Sequence, residues 1–141
     1  MILVDTGPLV AAFDRKQADH AAVAAAIAGL DEPASTTVPV LVEAFHLLGP
    51  ASLGAAALRE LLRRRGLGVW FLDEPALGRC FELMEKYADH PMDLADASLV
   101  AAAEALRTLR VFTLDRRDFA TYRARIGKSV RAFRITDPAR R

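Results

Sequence analysis

The first eight residues, Met1-Ile2-Leu3-Val4-Asp5-Thr6-Gly7-Pro8, constrain the fold more than any other stretch of the chain. Ile2–Val4 is a short apolar run suited to a strand buried on both faces, as in a parallel sheet. The run stops on a carboxylate. Gly7-Pro8 then breaks the extended chain, and Thr6 is placed to cap a helix whose first turn tolerates proline. Open parallel sheets bind ligands beyond the carboxyl ends of their strands, so Asp5 stands where such a site would be built.

The rest of the chain alternates helix and strand signals. Leu9–Phe13 reads as one or two helical turns closing near Asp14–Lys16. A second helix runs from about Asp19 to Leu30, with Ala22, Val23, Ala26, Ile27 and Leu30 at three- and four-residue steps before Asp31-Glu32-Pro33 ends it. Ser35–Val38 is a β-branched run and reads as a second strand. Pro39 suits the first position of a helix over Val40–Leu48, apolar on nearly every face and therefore expected to be buried. After Gly49-Pro50, Ala51–Arg65 forms a helix whose terminal Arg63-Arg64-Arg65 complements the helix dipole. Val69–Leu72 is the third strand, Ala76–Tyr87 a helix, and Asp93 opens another that carries Asp96 inward beside Leu99, Val100 and Ala103. Arg110–Leu114 is the fourth strand and ends on Asp115. A short helix to Tyr122 and a last edge strand over Ala132–Ile135 complete the chain. Such alternation predicts a three-layer α/β domain with a parallel sheet.

With 141 residues and 52% hydrophobic content, one continuous core and one domain spanning 1–141 are expected. No apolar run approaches the roughly 20 residues needed to cross a bilayer, and Asp5 comes too early for a secretory signal. The lone Cys80 fits a reducing compartment and reads as a packed apolar residue. A cytoplasmic location without membrane contact is expected.

Charge is strongly polarised along the chain. Residues 1–106 hold 8 Lys+Arg and 15 Asp+Glu, a charge of −7; residues 107–141 hold 11 and 3, a charge of +8. The basic segment from Arg107 to Arg141, with Phe112, Phe119, Tyr122 and Phe133 interleaved, reads as a phosphate-binding surface or as a solvated region whose arginines aid solubility.

Asp5, Glu43, Asp96 and Asp115 all belong to one end of the expected sheet. Taken singly, Glu43 could face solvent or pair with an arginine, and Asp93 reads equally as the N-cap of its helix. Taken together, clustered carboxylates repel one another unless some protonate or a cation binds among them. Hard oxygen donors without His or Cys suit Mg²⁺ or Mn²⁺, and such ions support hydrolysis of phosphodiesters.

Val4-Asp5-Thr6-Gly7-Pro8-Leu9, the inward Glu43 after Pro39, the segment Met92–Val100 and the segment Phe112–Phe119 together resemble the PIN-domain ribonucleases, especially the VapC-type toxins of prokaryotic toxin–antitoxin pairs. The resemblance covers nearly the whole chain. It implies a three-layer α/β/α PIN-like domain around a parallel sheet of four to five strands. It also implies a Mg²⁺- or Mn²⁺-dependent endoribonuclease with Asp5, Glu43, Asp96 and Asp115 as the acidic metal site, supported by Thr6, Asp93, Thr113 or Asp118. Arg116, Arg117 and Arg123 would hold RNA beside the metals, or the basic tail would contact an antitoxin. A homodimer and inhibition by a VapB-type antitoxin are implied as well; candidate apolar contact surfaces lie on the Leu53–Leu62 and Leu77–Tyr87 helices. The competing reading is a catalytically inactive PIN-like module that binds RNA or protein. A receiver or phosphatase domain is disfavoured because Asp5 is followed by Thr6-Gly7-Pro8 and no lysine ends the fourth strand. His20, His46 and His90 have no partner visible in the sequence.

Overall fold

The computed structural model describes residues 1–136. Its elements, in chain order, are β1 (Ile2–Val4), α1 (Thr6–Phe13), α2 (His20–Ala28), β2 (Ala34–Thr37), α3 (Val38–Leu48), α4 (Leu53–Arg63) and β3 (Gly68–Trp70), then α5 (Glu74–Lys86), α6 (Leu94–Leu106), β4 (Arg110–Phe112), α7 (Arg116–Thr121), β5 (Arg123–Ile126), β6 (Ser129–Ala132) and β7 (Arg134–Thr136). Five of the strands form one parallel sheet in the order β3-β2-β1-β4-β7, flanked by helices in an α/β/α arrangement. Residues 137–141, the end of the basic segment, lie outside the described residues.

The strand order turns at β1. The chain adds β2 and β3 on one side, then returns to place β4 and β7 on the other. Between β1 and β4 lies the switch point where successive crossovers diverge and leave a crevice at the strands' carboxyl ends. Ile2, Leu3, Val4, Val111 and Phe112 fill the middle of the sheet and are essentially inaccessible. Leu99, Val100 and Ala103 of α6 are equally buried, as are Ala97, Ser98 and Ala102 on its other sides, so α6 is packed nearly all round and Asp96 lies half-buried in its first turn.

Five of the helix starts follow one device. Thr37, Ser52, Asp73, Asp93 and Asp115 each accept a hydrogen bond from the backbone N–H three residues on, opening α3, α4, α5, α6 and α7. Each such cap is worth about 1 kcal/mol. The first helix departs from expectation: Asp5, and not Thr6, is its N-cap, accepting from the Thr6 N–H at 2.7 Å. The carboxylate is the stronger acceptor, and Thr6 becomes the first helical residue.

Other boundaries also shift. The second strand begins and ends one residue earlier than read, because Val38 already belongs to α3. The third strand stops at Trp70, leaving Phe71 73% exposed. Helix α3 is not buried all round: Val42 and Leu47 are exposed while Val40 and Ala44 are buried, so its sequence hides which side faces water. The expected last strand over Ala132–Ile135 divides in two. Ala132 ends β6, which pairs antiparallel with β5 in a separate hairpin, whereas β7 joins the parallel sheet beside β4. The turn between β5 and β6 is short, with Gly127 at a positive φ of 61°.

Two glycines test the packing in opposite directions. A Cβ at Gly54 would lie 2.2 Å from the Phe13 carbonyl oxygen, because the start of α4 abuts the end of α1. Gly78, exposed in the middle of α5, has open space around its missing side chain. Urea unfolding should therefore show Gly54→Ala destabilised by about 1–3 kcal/mol, and Gly78→Ala stabilised by about 0.5–1 kcal/mol.

Candidate active site

A cavity of about 600 Å³ opens at the switch point, lined by Asp5, Glu43, Asp93, Asp96, Asp115 and Asp118 together with Thr6, Gly7 and Leu114. Neither His nor Cys is among its lining residues. The chain thus brings all four of the predicted acids to one place from four elements: the end of β1, the middle of α3, the first turn of α6 and the turn after β4. Glu43 makes no ion pair among the described residues and lies half-buried at the cavity wall, so the arginine-paired alternative does not apply.

Asp5 is held most firmly. Its backbone N–H donates to the Phe112 carbonyl at 3.0 Å, its Oδ1 accepts from the Thr6 N–H at 2.7 Å, and its Oδ2 accepts from the Thr113 hydroxyl at 2.7 Å. One carboxylate thereby joins β1, α1 and the end of β4. Burial nevertheless dominates, raising the Asp5 carboxyl from 3.8 to about 6 against the lowering effect of these bonds; Glu43 and Asp115 push it further up.

Asp96 is raised more, to about 7, first by burial, then by the charges of Asp93 and Asp5. Asp93 accepts from the Asp96 N–H at 2.8 Å, so it both caps α6 and lines the cavity; the two readings of this residue are compatible. Helix α6 is pinned by a buried hydroxyl pair, Thr37 Oγ1 and Ser98 Oγ at 2.6 Å, and Thr36 donates to the Val4 carbonyl at 2.8 Å. These links fix the ends of β1 and β2 and the first turn of α6 relative to one another.

Burial and the adjacent Asp118 carboxylate raise Asp115. The bond from Asp115 and the His90 ring lower Asp118. No motif signals the His90 contact: His90 Nε2 meets Asp118 Oδ1 across 28 residues of chain. The same holds for Tyr122, which donates its hydroxyl to Asp96 Oδ2 at 3.0 Å. Neither contact has a sequence signal, because both partners meet only through tertiary packing. His20 binds the Ala11 carbonyl at 2.8 Å and does not line the acidic cavity.

Thr6 lines the cavity with a buried hydroxyl that has no hydrogen-bond partner among the described residues. Among the described residues, no three His, Cys, Asp or Glu side chains already close around an ion. The site is an open acidic cleft whose donors are hard oxygens, the kind of donor that suits a hard divalent cation. Of the three cations expected near it, Arg123 turns its Nη1 to the carbonyls of Ala120, Thr121 and Tyr122, closing the end of α7. Arg117 lies close enough to Asp118 to lower its pKa.

A parallel α/β/α sheet with acids gathered beyond β1 and β4 is the architecture of the PIN domain. The PIN-domain family model matches residues 2–124, and the chain belongs to that family. Within it the likeness is to the VapC-type proteins: the chain is 33% identical over 127 residues to Ribonuclease VapC26 of Mycobacterium tuberculosis, covering 86% of this chain and 92% of that protein. Two solved structures share the fold. One is the sarcin-ricin loop cleaving toxin VapC20 of Mycobacterium tuberculosis, with a TM-score of 0.70 and 19% identity over 79% of this chain and 87% of that one. The other is a toxin–antitoxin complex from Klebsiella pneumoniae, with a TM-score of 0.65 and 17% identity over 98% of each chain.

The raised carboxyls determine how metal-free stability depends on pH. Asp5 and Asp96 stay protonated in the folded state at pH values where the unfolded chain has released those protons. The folded state therefore binds more protons between about pH 4 and pH 7, and stability falls as pH rises through that window. For Asp5 the effect is about 3 kcal/mol between the two limits. Groups held below their ordinary values, Asp118 and Glu104, act with the opposite sign at lower pH. Urea unfolding in the presence of a chelator should give a less stable protein at pH 8 than at pH 5. Asp5→Asn, which keeps a capping side chain, should reduce that difference.

Proposed function

We propose that the protein is a metal-dependent endoribonuclease of the VapC toxin type, acting in the cytoplasm on RNA phosphodiester bonds and restrained by a VapB-type antitoxin. The observation that carries this reading is the convergence of Asp5, Glu43, Asp96 and Asp115 on one open cavity, with Asp5 and Asp96 pushed toward neutrality by burial and by neighbouring carboxylates. A divalent cation would relieve that repulsion, and family membership supports the same conclusion.

In this reading Asp5, Glu43, Asp96 and Asp115 are the catalytic acids and the residues that hold Mg²⁺ or Mn²⁺. When bound, the ion supplies Lewis-acid stabilisation of the phosphate and an activated water. The protein's own part is orientation. Thr113 and the Thr6 amide fix the two oxygens of Asp5, and Asp93 fixes the start of α6 and thereby Asp96. Asp118 donates its N–H to Asp115 Oδ1 at 3.1 Å and supports that acid from the first turn of α7. The Thr6 hydroxyl, buried and without a partner among the described residues, is available to water or a phosphate oxygen at the cavity wall.

Arg116, Arg117 and Arg123 lie on and just after α7, at the junction of the acidic cavity and the basic C-terminal stretch, where they would meet the RNA backbone. A homodimer is proposed from the family resemblance. Among the described residues, no helix is long and apolar enough to cross a membrane.

Cleavage of RNA should stop in chelator and return with Mg²⁺ or Mn²⁺. Asp96→Asn should lower the rate about a thousandfold, equivalent to about 4 kcal/mol, while its melting curve remains cooperative. An Asp96→Asn protein as active as the parent would remove the assignment and leave the domain as a non-cleaving RNA- or protein-binding module.

A further inference from the structure

One aromatic side chain of the basic segment turns inward to the acidic site instead of outward to a ligand surface. Tyr122 is fully buried, and its ring is met edge-on by three others: Tyr87 at 5.1 Å between centroids, Phe119 at 5.3 Å and His90 at 5.7 Å. These neighbours come from the end of α5, from α7 and from the loop before α6, so the ring has no free direction in which to turn. Its hydroxyl ends 3.0 Å from Asp96 Oδ2.

If the site needed only an apolar wedge, phenylalanine would fill the same place. A buried phenol instead requires a partner, since leaving its hydroxyl unsatisfied costs about 1–3 kcal/mol. That partner is the acid with the most strongly raised carboxyl in the cavity. Burial and the Asp96 charge hold the phenol in its protonated form, so Tyr122 acts as a donor.

We infer that Tyr122 is a positioning residue for Asp96: its hydroxyl fixes one carboxylate oxygen so that the other is presented to the cavity. The assignment rests on the reading of Asp96 as a metal-holding residue. Among the described residues Asp96 Oδ1 has no hydrogen-bond partner, and Asp96 lines the cavity. Donors that orient a metal's ligands in this way change metal affinity by about 10–100-fold when removed. The nearby Tyr87 provides the contrast. Its hydroxyl accepts from the Arg123 backbone N–H at 3.0 Å, holding the root of the β5–β6 hairpin and touching no cavity acid.

The test compares Mn²⁺ binding by calorimetry for the parent protein, Tyr122→Phe, Tyr87→Phe and Asp96→Asn, alongside thermal melts. Tyr122→Phe keeps the ring and its packing and should bind Mn²⁺ about 10–100-fold more weakly. Its affinity for RNA in chelator should be unchanged. Tyr87→Phe should bind Mn²⁺ like the parent. The inference is overturned if Tyr122→Phe binds Mn²⁺ normally while Asp96→Asn does not, an outcome that leaves the nuclease reading intact. It is overturned equally if the two tyrosine variants lose the same affinity, since both hydroxyls would then serve only the fold. A parent protein whose Mn²⁺ binding is no stronger than that of Asp96→Asn would remove the metal reading and this inference together.

Discussion

The structure is organised around a carboxylate that water scarcely reaches. Asp5 sits at the end of the central strand with both oxygens occupied by protein donors, and its N–H is tied to β4. An isolated buried charge is so costly that a group of this kind either pairs or protonates. Asp5 does neither fully. Two hydrogen bonds lower its pKa and burial raises it by more, so the outcome favours the neutral form compared with an ordinary carboxyl. Adding Glu43, Asp96 and Asp115 to the same cavity makes the charged state worse. The site therefore stores electrostatic strain that a bound cation, rather than any further contact within the protein, is suited to relieve.

Such an arrangement persists only if the surrounding fold is stiff enough to keep the acids from drifting apart. Short hydroxyl links supply part of that stiffness: Thr36 to the Val4 carbonyl, Thr37 to Ser98, and Thr113 to Asp5. Each joins two elements across the cavity end of the sheet. Because these residues are fully or almost fully buried, every link is also obligatory, since a lost partner would leave a polar group stranded in the core. The apolar packing beneath, where Leu99, Val100 and Ala103 meet the sheet, holds α6 in register so that Asp96 faces the crevice. The acidic cavity and the core thus share the same helix face, three residues apart.

That shared face explains what could be read from the sequence. A carboxylate in phase with core residues, as Asp96 is with Leu99, Val100 and Ala103, must point inward whatever the fold's details. An acid that ends a β-branched or apolar run, as Asp5 and Asp115 do, must lie near a strand's carboxyl end. Periodicity carries both facts. It carries nothing about contacts between residues that are separate in sequence and have no rhythm, which is why the His90–Asp118 and Tyr122–Asp96 pairs were invisible. The β5–β6 hairpin escaped for a different reason: Arg123–Ile126 and Ser129–Ala132 alternate polar and apolar residues, but over only four residues each, and in β6 the alternation does not follow burial, since every residue of that strand is exposed. Helix α3 misled because Val42 and Leu47 look like core residues and lie in water.

The hairpin also gives the chain's charge asymmetry a shape. It begins at Tyr122, against the acidic cavity, and runs along α6 toward Glu104, which accepts from the Arg125 N–H at 2.7 Å and pairs with Arg79. Arg125, Lys128 and Arg131 are exposed along it. The basic stretch therefore starts where the acids are and leads away from them. A polyanion would be repelled by the metal-free cavity and attracted by the hairpin, over a range of about 8 Å at physiological ionic strength. On the nuclease reading, attraction and chemistry are then governed by different ions. Monovalent salt weakens the hold of the arginines on phosphate, whereas a divalent cation offsets part of the cavity's own negative charge. Separating the two tasks lets one surface bind RNA without requiring the four acids to lose their charge.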